Sequence, residues 1–164
     1  MAKNIVLIGP MGVGKTTIGK KVAKALGKQF IDTDLVIQRD HGPVADIFER
    51  LGESEFRNYE TAALVESLAQ DAVIATGGGI VLRPENRKLL EQHWVVYLST
   101  DGKHMASRLK NGNRPLLKNG MSDWKAIYEE RKPLYQSLAN FEIATNSKTV
   151  NQCVQEIKEM IGAE

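Results

Sequence analysis

The chain has 164 residues, of which 42% are hydrophobic and 26% are charged, and its formal net charge at pH 7 is +2. This length suits one domain with its own core, and the small net charge without a basic block argues against nucleic acid as a partner. No apolar run reaches the roughly 20 residues that a membrane span requires. A single cysteine, Cys153, excludes an internal disulfide and a cysteine-rich metal site. We expect one cytoplasmic domain over residues 1–164, with no membrane partner.

Five short apolar runs alternate with helical patterns along the chain, and each run is typical of a buried parallel strand. The predicted strands are 5–8, 30–32, 72–75, 94–98 and 141–144. The predicted helices with clear bounds are 16–26, 35–39, 44–51, 53–68, 84–91 and 147–161. Two more are predicted between 84–91 and 147–161: the first is capped by Asp101 and ends near 110, and the second extends from 122 or 123 to 138. Gly52 is expected to separate the third and fourth of these helices.

This alternation predicts an α/β fold of three layers, in which helices cover both faces of a five-stranded parallel sheet. In such sheets ligands bind beyond the carboxyl ends of the strands. The polar or glycine-rich segments 9–16, 32–34 and 77–79 follow the first three strands, so we expect them to line one site. Segment 111–122 has neither a helical nor a strand period, and its length favours a connection that is functional or mobile.

The strongest motif is the P-loop pattern G-x-x-x-x-G-K-[ST], which residues 9–16 match at every required position. An apolar run precedes it and a helical pattern follows it, as the motif requires. Glycines allow a tight turn whose backbone N–H groups, together with the helix N-terminus, can surround an anion. Lys15 can then reach the β- and γ-phosphates of a nucleoside triphosphate, and the Thr16 hydroxyl can bind Mg²⁺.

Two carboxylates, Asp32 and Asp34, follow the second strand and would share one side of the chain if it were still extended. Beside a bound nucleotide, one can hold Mg²⁺ directly or through water, and the other can accept a proton from an attacking hydroxyl. The alternative for Asp34 is that it caps the next helix. Thr76 and three glycines leave the third strand, where they either let the backbone approach a ligand or reverse the chain.

Three arginines, Arg57, Arg114 and Arg131, carry the forked guanidinium group that suits a carboxylate partner. A solvated position on the surface is the ordinary place for any one of them. Spacing alone does not determine whether they converge on one pocket.

Taken together, these motifs resemble the shikimate kinase family. The likeness extends from about residue 5 to residue 135. The matching segments are 9–20, 32–34, 45–48, 52–60, 76–79, 113–117 and 131–135. The resemblance implies a P-loop kinase fold like that of the nucleoside monophosphate kinases. It also implies transfer of the γ-phosphoryl group of ATP to the 3-hydroxyl of shikimate, a step toward chorismate and the aromatic amino acids.

The resemblance also implies a role for each matching residue. Lys15, Asp34 and Arg114 would be catalytic, and Arg114 would belong to a lid over about 111–122. The implied ATP-binding residues are Gly12, Val13, Gly14, Lys15, Thr16, Thr17, Arg108 and Arg114. The implied shikimate-binding residues are Asp34, Arg57, Gly78, Gly79 and Arg131, with substrate-binding helices over about 34–62. The two arginines Arg57 and Arg131 would hold the carboxylate.

Cofactors and partners follow from the same resemblance. Thr16 would hold Mg²⁺, helped through water by Asp32, and the partners would be the small molecules ATP and shikimate. We expect a monomer. Two departures from the family pattern are present: Pro43 stands alone between Gly42 and Val44 where many members have two residues, and the third strand ends without a Walker-B aspartate, an absence expected in this family.

Two other functions fit parts of the pattern. One is phosphorylation of another small metabolite, such as gluconate or a nucleoside monophosphate. The arginines Arg57 and Arg131 favour an anionic carboxylate over a base or a neutral sugar. The other is nucleotide binding without catalysis, against which the presence of Lys15, Thr16, Asp34 and Arg114 argues.

Overall fold

The computed structural model describes residues 3–108 and 117–162. Five strands form one parallel sheet in the order β2-β3-β1-β4-β5. The strands are β1 (Ile5–Ile8), β2 (Gln29–Asp32), β3 (Ala72–Ala75), β4 (Trp94–Ser99) and β5 (Phe141–Ala144). The helices are α1 (Lys15–Leu26), α2 (Thr33–His41), α3 (Val44–Leu68), α4 (Pro84–Leu90), α5 (Met105–Arg108), α6 (Met121–Leu138) and α7 (Val150–Met160), with a 3-10 turn at Ile80–Leu82. The predicted five-stranded parallel α/β fold is confirmed.

The central strand β1 supplies both halves of the core. Ile5 and Leu7 pack with buried side chains of α1 and α7 on one face of the sheet. Val6 and Ile8 pack with side chains of α3, α4 and α6 on the other. Successive side chains of a strand point to opposite faces. Since helices cover both faces here, β1 reads in the sequence as an uninterrupted apolar run rather than an alternating one.

The loop after β1 passes very close to the end of β4, and Gly9 makes this possible. Its φ is +147°, and a Cβ at this position would stand 2.5 Å from the carbonyl oxygen of Leu98. A side chain would therefore force the loop away from the sheet, and with it the N-terminus of α1.

Several helix ends differ from those predicted. The predicted cap at Asp101 is wrong, because its carboxylate accepts from the N–H of Lys103 and α5 begins only at Met105. The predicted start of the last helix at Ser147 is also wrong. Thr149 caps α7 in a reciprocal capping box with Gln152. The expected interruption at Gly52 is confirmed as a kink within α3, where φ is +84° and ψ is +170°.

Asn4 joins the start of β1 to the end of α3 and the start of β3 by hydrogen bonds, a role that the sequence did not reveal. Its side chain is buried, accepts a hydrogen bond from the N–H of Ala72 at 3.0 Å and donates to the carbonyl of Leu68 at 3.0 Å. Its backbone N–H donates to Nδ1 of His93 at 3.1 Å, and burial lowers the pKa of His93, which keeps the ring neutral as an acceptor at pH 7. The side chain thus closes the turn between α3 and β3.

Within residues 3–108 and 117–162, none of the helices combines the length and the apolar character needed to cross a membrane.

We expect Asn4→Ala to lower the free energy of unfolding by about 1–3 kcal/mol, because it leaves the buried N–H of Ala72 without its partner. Urea denaturation measures this loss. Asn151→Ala is the matched control, since Asn151 is exposed and makes only a 3.4 Å bond to Lys21; its effect should stay within about 0.5 kcal/mol. Equal effects of the two substitutions would contradict the assigned role of Asn4.

Candidate active site

The phosphate loop connects β1 to α1, and its carbonyl oxygens accept hydrogen bonds from the side chain of Lys15. Lys15 is the first residue of α1 and is only 9% exposed, and its Nζ donates to the carbonyl oxygens of Gly9 at 2.6 Å and Pro10 at 2.9 Å. No acidic residue lies in the first turn of α1, so the positive end of the helix dipole faces the same space. The loop therefore presents a concentrated positive field suited to phosphate.

A cavity of about 340 Å³ lies over this loop. The predicted ATP-binding residues that line it are Gly12, Gly14, Lys15, Thr16, Thr17 and Arg108. Val13 does not line it, because its side chain is 2% exposed and packs in the core between the sheet and α1. It borders a neighbouring cavity instead.

That neighbouring cavity, of about 350 Å³, continues from the phosphate loop toward α7. Arg108 lines both cavities, and its Nη1 donates to the carbonyl of Gly12 at 3.0 Å. The sequence did not identify the lining residues from the last part of the chain, because only the tertiary fold brings them to the P-loop. They are Thr145, Lys148, Val150 and Cys153. Burial raises the pKa of the Cys153 thiol, which keeps it protonated.

Asp32 has two partners at the end of β2. Its Oδ2 accepts a hydrogen bond from the Thr16 hydroxyl at 2.9 Å, and its Oδ1 accepts from the N–H of Asp34 at 2.9 Å. Asp32 therefore caps α2, and Asp34 lies in the first turn of that helix. The alternative in which Asp34 is the cap is wrong, and so is the extended placement of the two carboxylates.

A third cavity, of about 410 Å³, adjoins the phosphate loop and is called here the acceptor cavity. All predicted substrate-binding residues line it, namely Asp34, Arg57, Gly78, Gly79 and Arg131. They are joined by residues that the sequence did not single out, among them Gln38, Phe48, Phe56 and Glu60. Asp34 lines both the acceptor cavity and the cavity over the P-loop, so it stands where the two meet.

The two arginines of this cavity are buried although they lie on different helices. Arg57 on α3 is 7% exposed and Arg131 on α6 is 6% exposed, so the ordinary surface position is excluded for both. Arg57 is fixed by its own helix: Nη1 donates to Glu60 at 3.0 Å and Nη2 to Glu53 at 3.2 Å. A buried guanidinium that faces a cavity is suited to a fork-shaped pair with a carboxylate.

The three glycines after β3 leave room for these charged side chains. A Cβ at Gly79 would stand 2.7 Å from Cζ of Arg57, and one at Gly78 would stand 3.3 Å from Nη1 of Arg131. One at Gly77 would stand 3.0 Å from oxygens of both Asp34 and Glu60. The groups that approach the backbone of this glycine segment closely are therefore side chains of the protein itself.

Glu60 is the main site residue that sequence reasoning missed. It is 1% exposed, its Oε1 accepts from Arg57, and its Oε2 has no hydrogen-bond partner among the described residues. Burial raises the pKa of Glu60, and the positive charge of Arg57 opposes this rise. The signal that could have found it is its spacing of three residues from Arg57, which places both on one face of α3.

Arg114 and most of the predicted lid lie outside the described residues. The predicted helix start at 122 or 123 is slightly late, since α6 begins at Met121. The start of α6 is tied to the phosphate loop, because Nε1 of Trp124 donates to the carbonyl of Met11 at 2.9 Å.

A P-loop at the end of a parallel sheet, beside a small cavity with two buried arginines, defines an ATP-dependent kinase of a small molecule. The family model described as shikimate kinase matches residues 11–162. A shikimate kinase of Marinomonas sp. is 46% identical over 155 residues, which are 90% of this chain and 85% of that protein. The chain belongs to the shikimate kinase family.

Solved structures agree with this assignment. The shikimate kinase of Acinetobacter baumannii in complex with shikimate has a TM-score of 0.93 and 38% identity, covering 99% of this chain and 94% of the other. A gluconokinase of Sinorhizobium meliloti is 16% identical with a TM-score of 0.62, covering 98% of this chain and 91% of the other. This second likeness shows a shared fold alone.

The capping role of Asp32 can be tested by two substitutions. Asp32→Ala should lower the free energy of unfolding by about 0.5–2 kcal/mol, because α2 loses its cap. Asp32→Asn should leave stability nearly unchanged, since asparagine caps helices as well as aspartate does. Urea denaturation of both variants measures the difference, and equal losses would contradict the capping role.

Proposed function

We propose that this protein transfers the γ-phosphoryl group of ATP to the 3-hydroxyl of shikimate, giving shikimate 3-phosphate and ADP. The observation that carries the proposal is the position of Asp34 where the P-loop cavity meets the acceptor cavity. Phosphoryl transfer needs the attacking oxygen in line with the phosphate, and positioning supplies much of the catalysis. A hydroxyl bound at Asp34 would lie between the two substrates' sites.

The acceptor cavity supports an anionic substrate that also carries hydroxyl groups. Arg57 and Arg131 would hold the carboxylate of shikimate, each as a charge-assisted donor. Asp34 would then face a hydroxyl of the ring and could accept its proton as the new bond to phosphorus forms. Gly78 and Gly79 would border the ring, because both line the same cavity.

The P-loop residues would bind ATP through its phosphates. Backbone N–H groups of Gly12, Val13 and Gly14 and the first residues of α1 would surround them. Lys15 would turn from the loop carbonyls to the phosphates and offset the negative charge on the transferring group. The cavity that continues past Arg108 toward Val150 offers a place for the base.

Mg²⁺ is the proposed cofactor, and the residues present fit it. Thr16 and Asp32 offer hard oxygen atoms close to one another and to the phosphate loop. Within the described ranges there is no group of three or more histidine, cysteine, aspartate or glutamate side chains that could hold a metal. The oxygens of Thr16 and Asp32 suit Mg²⁺, which keeps several waters and uses one or two protein ligands together with substrate phosphates. When bound, the ion neutralises phosphate charge.

Other parts of the proposal rest on the sequence. One kinase domain over residues 1–164, substrate-binding helices over about 34–62, a lid over about 111–122, and transition-state stabilisation by Arg114 remain predictions. A monomeric state and a cytoplasmic location also remain predictions.

A coupled assay of ADP release tests the proposed reaction. With ATP present, shikimate should support turnover, whereas gluconate and AMP should not. AMP has no carboxylate for the two arginines, and the flexible open chain of gluconate would have to be ordered on binding. Lys15→Ala should remove nearly all of this turnover, and Lys24→Ala on the exposed side of α1 should not. Turnover with gluconate or AMP but not with shikimate would refute the proposal.

Losing Arg131 should weaken shikimate binding specifically. A hydrogen bond to a charged group contributes about 1.5–3 kcal/mol, so Arg131→Ala should raise KM for shikimate about 10- to 150-fold. KM for ATP should change far less. Arg131→Lys should not restore the original value, because an ammonium lacks the planar fork.

Arg57→Ala should give the same selective rise in KM, with an added loss of stability because buried Glu60 loses its cation. Arg39→Ala is the control, since Arg39 is exposed on α2 and does not line the acceptor cavity. A rise in KM for ATP with an unchanged KM for shikimate would rule out the carboxylate site.

A further inference from the structure

Four ionisable side chains from three helices meet in the acceptor cavity. Arg57 and Glu60 come from α3, Asp34 from α2 and Arg131 from α6. When all four are ionised, two positive charges balance two negative ones.

Among the described residues, Glu53 and Tyr135 are further ionisable groups close to Arg57 or Glu60. Glu53, the second partner of Arg57, is half exposed, so water screens its charge. Tyr135 of α6 also lies near Glu60, and burial raises its pKa to about 12, which keeps it neutral.

Glu60 is the member of this cluster whose hydrogen bonding is incomplete. Its Oε1 is paired with Arg57, whereas Oε2 is buried without a partner among the described residues. Oε2 faces the end of β3, where it lies 3.0 Å from the point at which a Cβ of Gly77 would stand. An ionised oxygen in such a position loses the hydrogen bonds that water would provide. Burial accordingly raises the pKa of Glu60, and the charge of Asp34 acts in the same direction.

A substrate carboxylate would change the balance of charge in this cluster. It would bring a further negative charge into the cavity that Glu60 lines. It would also pair with the guanidinium of Arg57, whose positive charge is the largest influence favouring the ionised form of Glu60. A negative charge close to a buried carboxylate disfavours its ionised form, and the uptake of one proton relieves this cost.

We propose that binding of shikimate is coupled to the uptake of one proton from solvent, and that Oε2 of Glu60 receives this proton. The inference rests on the proposed function, since it requires an acceptor with a carboxylate. Protonated Glu60 keeps Oε1 as the acceptor for Arg57, and Oε2 becomes an O–H donor. Oδ1 of Asp34 also lies 3.0 Å from the point at which a Cβ of Gly77 would stand, and we assign it as the acceptor of this O–H.

The coupling fixes the direction of the pH dependence. The pKa of Glu60 is higher in the complex than in the free protein. At a pH between these two pKa values, the complex therefore holds more protons than the free protein. Affinity for shikimate is therefore greatest below the pKa of the free protein and falls as pH rises through the window. The dissociation constant increases up to about tenfold per pH unit there. The carboxyl group of shikimate does not contribute above about pH 6, because an ordinary carboxylic acid is already ionised.

Isothermal titration calorimetry of the full chain with shikimate tests the inference. Titrations at several pH values from about 5.5 to 8.5, each in buffers of different ionisation enthalpy, give the number of protons taken up. We expect uptake that approaches one proton within the window. Glu60→Gln should still bind shikimate but should take up no proton and should lose the pH dependence, because glutamine resembles the protonated acid. Glu53→Gln, the control at the other partner of Arg57, should retain the uptake.

Each outcome decides one way or the other. Shikimate binding without proton uptake at any pH would overturn the inference and leave the proposed function intact, whereas no binding of shikimate would overturn both. Uptake that persists in Glu60→Gln would assign the proton to another group and overturn the role of Glu60. If that variant does not fold, infrared difference spectra of the unmodified protein decide. Shikimate should produce a new carbonyl band of a protonated carboxylic acid, and its absence would refute the inference.

Discussion

The parallel pairing of β1 with β3 is the interaction on which the whole site depends. It aligns Leu7 with Ala75, and the backbone N–H and hydroxyl of Thr76 both donate to the carbonyl of Leu7. The phosphate loop follows β1 and the three glycines follow β3, so these two segments leave the sheet side by side. Phosphate binding and acceptor binding become neighbours because these two strands are neighbours. Ligands commonly bind at this edge of open α/β sheets for the same reason.

Burial of charge is the second constraint, and it links stability to function. Arg57 and Arg131 are held beside the acceptor cavity at a desolvation cost, which the ion pair with Glu60 partly offsets for Arg57. Such pairs contribute little net stability. Their value lies in the prepared site: two guanidinium groups are already placed for an anion, so little ordering is needed when it binds. The glycines at 77–79 serve the same end, since any side chain there would displace the charged groups.

Much of the fold was predictable because the signals for it are local. The P-loop and the five strands are each encoded by a short continuous segment, and all were predicted within one or two residues. The capping errors at Asp101 and Ser147 arose where several residues able to cap stand close together, so that tertiary contacts choose among them. The role of Asp32 as both cap and partner of Thr16 likewise depends on a contact between two elements.

The convergence of Arg57 and Arg131 could not be derived from spacing, because they lie on α3 and α6, which are far apart in the chain. Resemblance to a family predicted it where the residues alone did not. Glu60 escaped notice for a related reason: a glutamate in an amphipathic helix normally faces water. Only the packed structure shows that it is buried beside Arg57. Thr145 and Lys148, near the phosphate loop, follow the last strand of the sheet and were missed in the same way.

The arrangement of the acceptor cavity is most directly tested by a crystal structure of the protein with shikimate and ADP. The shikimate carboxylate should lie between the guanidinium groups of Arg57 and Arg131, and the 3-hydroxyl should lie at Asp34 and point toward the P-loop. Shikimate bound with its carboxylate toward Lys15, or outside this cavity, would contradict the proposed geometry of transfer.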